Sequence, residues 1–129
     1  MNPSELRYHK EHEWIRVQGS QVTLGISHFA QDALGDIVFI DLPRVGATVT
    51  IGQQIGEVES TKTTSSIYTP VSGKVVKVNA DLKDHPEAVN SDPYGKGWMV
   101  VIELADPAQV NALMTASQYD AFLATQKKG

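Results

Sequence analysis

The sequence contains no cysteine. That excludes disulfides, thiolate metal sites and cysteine nucleophiles, so any sulfur chemistry must come from a cofactor. Basic residues are not in excess: 11 Lys and Arg stand against 15 Asp and Glu, for a net charge of −4. A nucleic-acid binder would show a basic stripe, so the balance argues against that class. No apolar run is long enough to span a bilayer. The opening segment, Met1 to Leu6, lacks both the basic and the apolar region of a signal peptide, and it is not Arg-rich like a transit peptide. A cytoplasmic protein with no membrane partner is expected. No glycine-rich loop precedes a helix as a phosphate cradle requires. Ser27 and Ser72 lack the framework of a nucleophile triad, and no enzyme site is expected.

What remains is an ordinary globular composition, 129 residues with 41% hydrophobic and 20% charged. That length is most simply one domain, residues 1–129. A chain of this size buries roughly 65–70% of its unfolded surface, enough for a core without staples. Gly and Pro punctuate short β-rich runs at roughly eight- to twelve-residue spacing, which suggests a sandwich or small barrel. Trp14 to Val17 and Gln21 to Ile26 read as strands around Gln18-Gly19-Ser20. Ser27 can cap a short helix with Phe29, Ala30, Ala33 and Leu34 on one face, closed by Gly35. Asp36 to Asp41 is an apolar run, followed by strands over Thr48–Ile51, Gln54–Thr61, Thr63–Tyr68 and Lys74–Val78. Residues 81–97 read as a long polar loop, and Trp98 to Leu104 as a returning strand. At the C-terminus Asp106 caps a turn with Pro107 at its first position, and Val110, Leu113 and Met114 share a face. Thr115 or Ser117 then starts a helix carrying Tyr119, Phe122 and Leu123.

Lys62 stands out. It falls between two strand-like runs, in a tip rich in hydroxyls (Ser60, Thr61, Thr63, Thr64, Ser65, Ser66), with Glu59 three residues before it and Pro70-Val71-Ser72-Gly73 following. Most lysines at turns are solvated charges. A lysine at a hairpin tip is a poor catalyst but an accessible amine that a modifying enzyme can acylate. His9 and His12 are three apart, but without a third ligand the pair reads as surface residues rather than a metal site. His28 and His85 are isolated.

These segments resemble the H protein of the glycine cleavage system, a lipoyl carrier, nearly end to end. The resemblance rests on His12-Glu13-Trp14, Gly25-Ile26-Ser27, Leu34-Gly35-Asp36-Ile37-Val38, Leu42-Pro43, Glu57 to Lys62, Pro70 to Asn79, Asn90 to Tyr94 and Gly97-Trp98. It implies a mostly β hybrid barrel-sandwich, like a lipoyl domain, with short helices after the second strand and at the C-terminus. It implies lipoate joined to Lys62 as lipoyllysine on a hairpin over about residues 54–68. It makes Glu59 a candidate for recognition by the lipoate-attaching enzyme, with a solubilising carboxylate as the alternative. Glu13 becomes a candidate acceptor for the docked amine, or else an exposed strand-edge carboxylate. Lipoyl domains of 2-oxo acid dehydrogenases and biotin carriers are similar around the hairpin, but they carry Asp-Lys-Ala and Met-Lys-Met where this chain has Thr61-Lys62-Thr63. Many H proteins have an acidic residue four positions after the lysine, where this chain has Ser66.

The activity so implied is non-catalytic carriage. The arm accepts an aminomethyl group from the pyridoxal-phosphate glycine decarboxylase and delivers it to the aminomethyltransferase. Dihydrolipoyl dehydrogenase then reoxidises it. The arm is expected to shelter between partners in an apolar cleft beside the hairpin. The alternatives are an H-like carrier in another pathway, such as sulfur oxidation, and an unmodified scaffold.

Overall fold

The computed structural model describes residues 3–126. Among the described residues nine strands form two antiparallel sheets. In chain order they are β1 (Arg7–Tyr8), β2 (Glu13–Gln18), β3 (Gln21–Ile26), β4 (Ile37–Asp41), β5 (Thr48–Val49), β6 (Gln54–Ser60), β7 (Thr64–Tyr68), β8 (Gly73–Val78) and β9 (Val100–Leu104). The larger sheet runs β1-β2-β3-β9-β8-β5 and the smaller β4-β6-β7. The expected mostly β architecture with short helices is what forms, as two sheets rather than a closed barrel.

The core lies between the sheets. Ile15, Val22, Leu24, Val75 and Ile102 from the larger sheet meet Ile37, Ile40, Val58 and Ile67 from the smaller. β6 shows why: Ile55, Val58 and Ser60 are buried while Glu57 and Glu59 are exposed, so most of the strand alternates between faces. Full burial of such side chains is worth about 1.5–3 kcal/mol each. A second cluster packs Leu6, Tyr8, Trp14 and Tyr119, with the Tyr8 and Tyr119 rings stacked at 4.6 Å. Trp14 needs Gly25 as its cross-strand partner, because a Cβ there would lie 2.7 Å from the indole.

Helix α1 (His28–Leu34) begins where Ser27 Oγ accepts from Ala30 N and ends at Gly35. It follows the third strand rather than the second, because the short β1 precedes Trp14. Residues 81–97 are not simply a polar loop. They contain α2 (Asp81–Asp84) and α3 (Ala88–Ser91), which bury Leu82 and Val89. Each is only four residues long, too short for a periodic signal. Pro107–Ala112 form a 3-10 helix, with Leu113 and Met114 beyond it. Met114 instead bridges Tyr8. Helix α4 (Ala116–Ala124) starts from a Thr115–Gln118 capping box.

Candidate functional site

The turn from β6 to β7 is held by Ser60. Its Oγ accepts from Lys62 N at 3.3 Å and Thr63 N at 3.1 Å, and its own N–H donates to Thr63 O at 2.8 Å. Ser60 is 6% exposed, so the clamp is shielded from competing water. Thr61 N donates to Asp36 O at 3.0 Å, which ties the tip to the segment between α1 and β4. Lys62 is exposed at the tip, and none of the ion pairs among the described residues involves it.

The tip rests on a built platform. A Cβ added at Gly35 would meet Lys62 Cε at 3.6 Å, so the lysine stem passes over the C-terminal end of α1. Gly35 has φ 86°, a left-handed conformation that favours glycine. Asn90, from α3, holds this corner with three bonds. Its Nδ2 donates to Gly35 O and Gln31 Oε1, both at 2.9 Å, and its Oδ1 accepts from Ile37 N at 2.8 Å. Neither Ser60 nor Asn90 stands out as a site residue in the sequence. The Ser60 clamp has a local signal, the habit of serine hydroxyls of bonding backbone amides two or three residues on. Asn90 has none, because its partners lie 53 to 59 residues away.

Glu13 is not an exposed strand-edge carboxylate. It is 1% exposed on an inner strand of the larger sheet. Its Oε1 bonds His9 Nδ1 at 2.8 Å, and its Oε2 accepts from Tyr68 N at 3.0 Å. Because β7 is an edge of the smaller sheet, Tyr68 N would otherwise lack a strand partner there. Burial raises the Glu13 pKa, and the bonds from His9 and Tyr68 oppose that rise. A carboxylate accepts about four hydrogen bonds, so acceptor capacity remains for a cation.

His9 and His12 are likewise not loose surface residues. His9 is bound to Glu13, and His12 Nδ1 bonds Tyr119 OH at 2.7 Å. The same hydroxyl bonds Ser27 Oγ at 2.7 Å. Burial lowers the His12 pKa, against a raising effect from Glu11. His12 has φ 75°, an uncommon conformation for a residue with a side chain. The turn it completes, with His12 N donating to His9 O, leads directly into Glu13. Among the described residues no group of three His, Cys, Asp or Glu could hold a metal.

Glu59 is exposed on β6, where its register partners are Phe39 and Thr64. It lies on the outer face of the smaller sheet, away from Glu13. The structure therefore divides the three sequence candidates: Lys62 at the tip, Glu59 beside it in solvent, and Glu13 buried at the base of the hairpin.

Helix α1 connects tip to base. Lys62 stands over its C-terminal end, and Ser27 N at its N-terminal end donates to His12 O at 2.9 Å, next to Glu13. Phe29, Ala30, Ala33 and Leu34 are half-buried along it. The Phe29 ring lies 4.7 Å from that of His12. A helix of 7 residues spans about 10 Å. An acyl chain on Lys62 of octanoyl length can follow this partly apolar path, so the residues present fit a lipoyl arm.

Residues 6–126 match the family model described as glycine cleavage H-protein. A glycine cleavage system H protein of Myxococcus xanthus is 55% identical over 121 residues, 94% of this chain and 94% of that protein. One from Bacillus cereus (strain AH820) is 56% identical over 117 residues, 91% of this chain and 92% of that protein. The crystal structure of a glycine cleavage system H protein from Mycobacterium marinum superposes with a TM-score of 0.88 at 41% identity, covering 95% of this chain and 99% of that one.

Proposed function

The chain belongs to the glycine cleavage H-protein family, and on that premise we propose that it is the lipoyl carrier of glycine cleavage, with Lys62 as the attachment residue. The observation that carries the reading is the exposed Lys62 amine at a clamped hairpin tip, standing over a half-buried path along α1. A covalently held lipoyl group supplies the reactive sulfurs that this cysteine-free chain lacks. Ser60 and the Asp36 carbonyl fix where the lysine backbone sits, and the side chain stays free to swing.

The rest of the proposal comes with family membership. The chain acts as a non-catalytic subunit, one carrier domain over residues 1–129, in the cytoplasm. Its partners are the glycine decarboxylase, the aminomethyltransferase, dihydrolipoyl dehydrogenase and the lipoate-attaching enzyme. Among the described residues no helix is long and apolar enough to cross a membrane. Glu59 contributes to recognition by the attaching enzyme, a role supported by its exposure and its place three residues from Lys62.

Glu13 accepts the amine of the docked, loaded arm. Its burial supports this role: a carboxylate stripped of water gains from a neighbouring ammonium more than an exposed one does. The latch is weak. Each methylene buried along α1 contributes about 0.8 kcal/mol, while immobilising a long flexible chain costs about 1.5–2 kcal/mol or more. A partner enzyme can therefore draw the arm out.

Glycine-dependent turnover with purified decarboxylase, aminomethyltransferase and dehydrogenase tests the function. The lipoylated protein sustains turnover and Lys62→Arg does not. Lipoylated protein that gives no glycine-dependent turnover would refute the assignment.

A further inference from the structure

Val38 and Phe39 are consecutive residues of β4, and they expose 50% and 52% of their surface. Two neighbours in a regular strand point to opposite faces. Here the register shifts between Ile37 and Phe39, a bulge that turns both outward. Phe39 pairs with Glu59, and Glu59 with Thr64, making a row across the outer face of the smaller sheet. The next row is Asp41, Glu57 and Ser66. Side chains paired this way lie about 4.5–5.5 Å apart. The apolar pair is thus fringed by exposed carboxylates at Asp36, Asp41, Glu57 and Glu59. Phe39 also lines a groove of about 380 Å³ together with Leu42, Pro43, Val78 and the cation Lys83.

We infer that this face of β4 and β6 is the docking surface for the enzyme that acylates Lys62, and that the enzyme meets it with an apolar pocket for Phe39 ringed by Lys or Arg. The inference rests on Lys62 being the attachment residue. Proximity selects this partner. An enzyme that forms the amide must bring an acyl carbonyl to Nζ itself, so it must bear on the hairpin. Enzymes that draw a docked arm out must bear on α1, where it lies, rather than on the outer face of β4 and β6. In the reaction Lys62 Nζ attacks the carbonyl of an acyl adenylate. The C–N bond forms, the C–O bond to phosphate breaks, AMP leaves with the electron pair, and Nζ loses a proton. A second copy of this chain is a poor occupant, because two acidic faces would meet.

The test uses apo protein and a purified lipoate–protein ligase with lipoate and ATP. Val38→Ser and Phe39→Ser change exposed side chains, and circular dichroism should match wild type. The expected result for Phe39→Ser is a fall in kcat/KM for acylation of roughly ten- to thirtyfold, carried by KM, the scale of an aromatic anchor at an interface. Glu57→Lys/Glu59→Lys raises KM further, and added salt raises KM for wild type. Phe39→Ser acylated to completion by long incubation then turns over glycine with the partner enzymes at the wild-type rate. Acylation of Phe39→Ser at the wild-type rate overturns the inference, while Lys62→Arg, unacylated in the same assay, keeps the attachment site intact. Acylation of Lys62→Arg refutes the attachment site itself. Slow glycine turnover by fully acylated Phe39→Ser, or a concentration-dependent dimer lost in that variant, assigns the face to another occupant and likewise overturns the inference.

Discussion

The Glu13 carboxylate completes the hydrogen bonding of Tyr68 N at the edge of β7 while largely desolvated. Its pKa is raised in the folded state. For an acid that means the native state holds its proton more tightly than the unfolded chain. The contribution of Glu13 to stability is therefore fully present below the usual carboxylate range and is lost as pH rises through the folded-state value. Glu13→Gln keeps a carbonyl for Tyr68 N and removes the buried charge. Its melting temperature at neutral pH should match or exceed that of wild type, while hydrolysis of the loaded arm becomes faster. Glu13→Ala strands Tyr68 N and should lose about 1–3 kcal/mol in denaturant titration. Unchanged hydrolysis in both variants would remove Glu13 from the latch.

His12 acts in the opposite sense. Its pKa is lowered by burial, so the unfolded chain binds the proton more readily. Its stabilising contribution is present above about pH 6.5 and is lost as pH falls below it. His12→Asn tolerates the left-handed backbone, and its melting temperature should vary less than wild type between pH 7 and pH 5. At this scale the sequence was only partly legible. The exposed turn position of Lys62 could be read because the strands and turn residues that set it lie in one segment. The burial of Glu13 could not, because it depends on Tyr68, 55 residues away.

Among the elements, the corner between α1 and β4 governs where the lysine is presented. Asn90→Ala leaves Gly35 O, Gln31 Oε1 and Ile37 N without that partner. The expected cost is about 1–3 kcal/mol, with faster hydrogen exchange at Thr61 N, which bonds the Asp36 carbonyl next to this corner. Exchange at Thr61 that stays at the wild-type rate would show the tip to be independent of the corner. Ser60→Ala is milder, about 0.5–1.5 kcal/mol, and its effect should be confined to exchange at Lys62 and Thr63. Helix α1 could be read closely because both its caps are local: Ser27 and Gly35 announce themselves. The helices α2 and α3 could not, because one turn of helix gains its stability from tertiary burial of Leu82 and Val89 rather than from propensity. The bulge in β4 was hidden too. Asp36 to Asp41 reads as a simple apolar strand, and only the pairing with β6 exposes Val38 and Phe39.

Across the described residues, two sheets share a core, and the hairpin that carries Lys62 is braced at both ends. Asp36 holds its tip through Thr61 N, and Glu13 holds its base through Tyr68 N. The mostly β class was legible from short runs and turn residues. The division into two sheets was not, because β3 pairs with β9 across most of the chain and no local pattern encodes that. Acylation of Lys62 removes one positive charge from a chain of net charge −4, so the modified protein should migrate faster toward the anode on a native gel.

The central claim is that the protein works by bearing a lipoyl group on Lys62. Intact-mass and peptide mass spectrometry of the protein from its native cell, beside a Lys62→Arg version expressed in that cell, addresses it most directly. The predicted result is a single lipoyl amide on the Lys62 peptide and no lipoyl increment in the variant. An unmodified native protein, or a lipoyl group on any other residue, would contradict it.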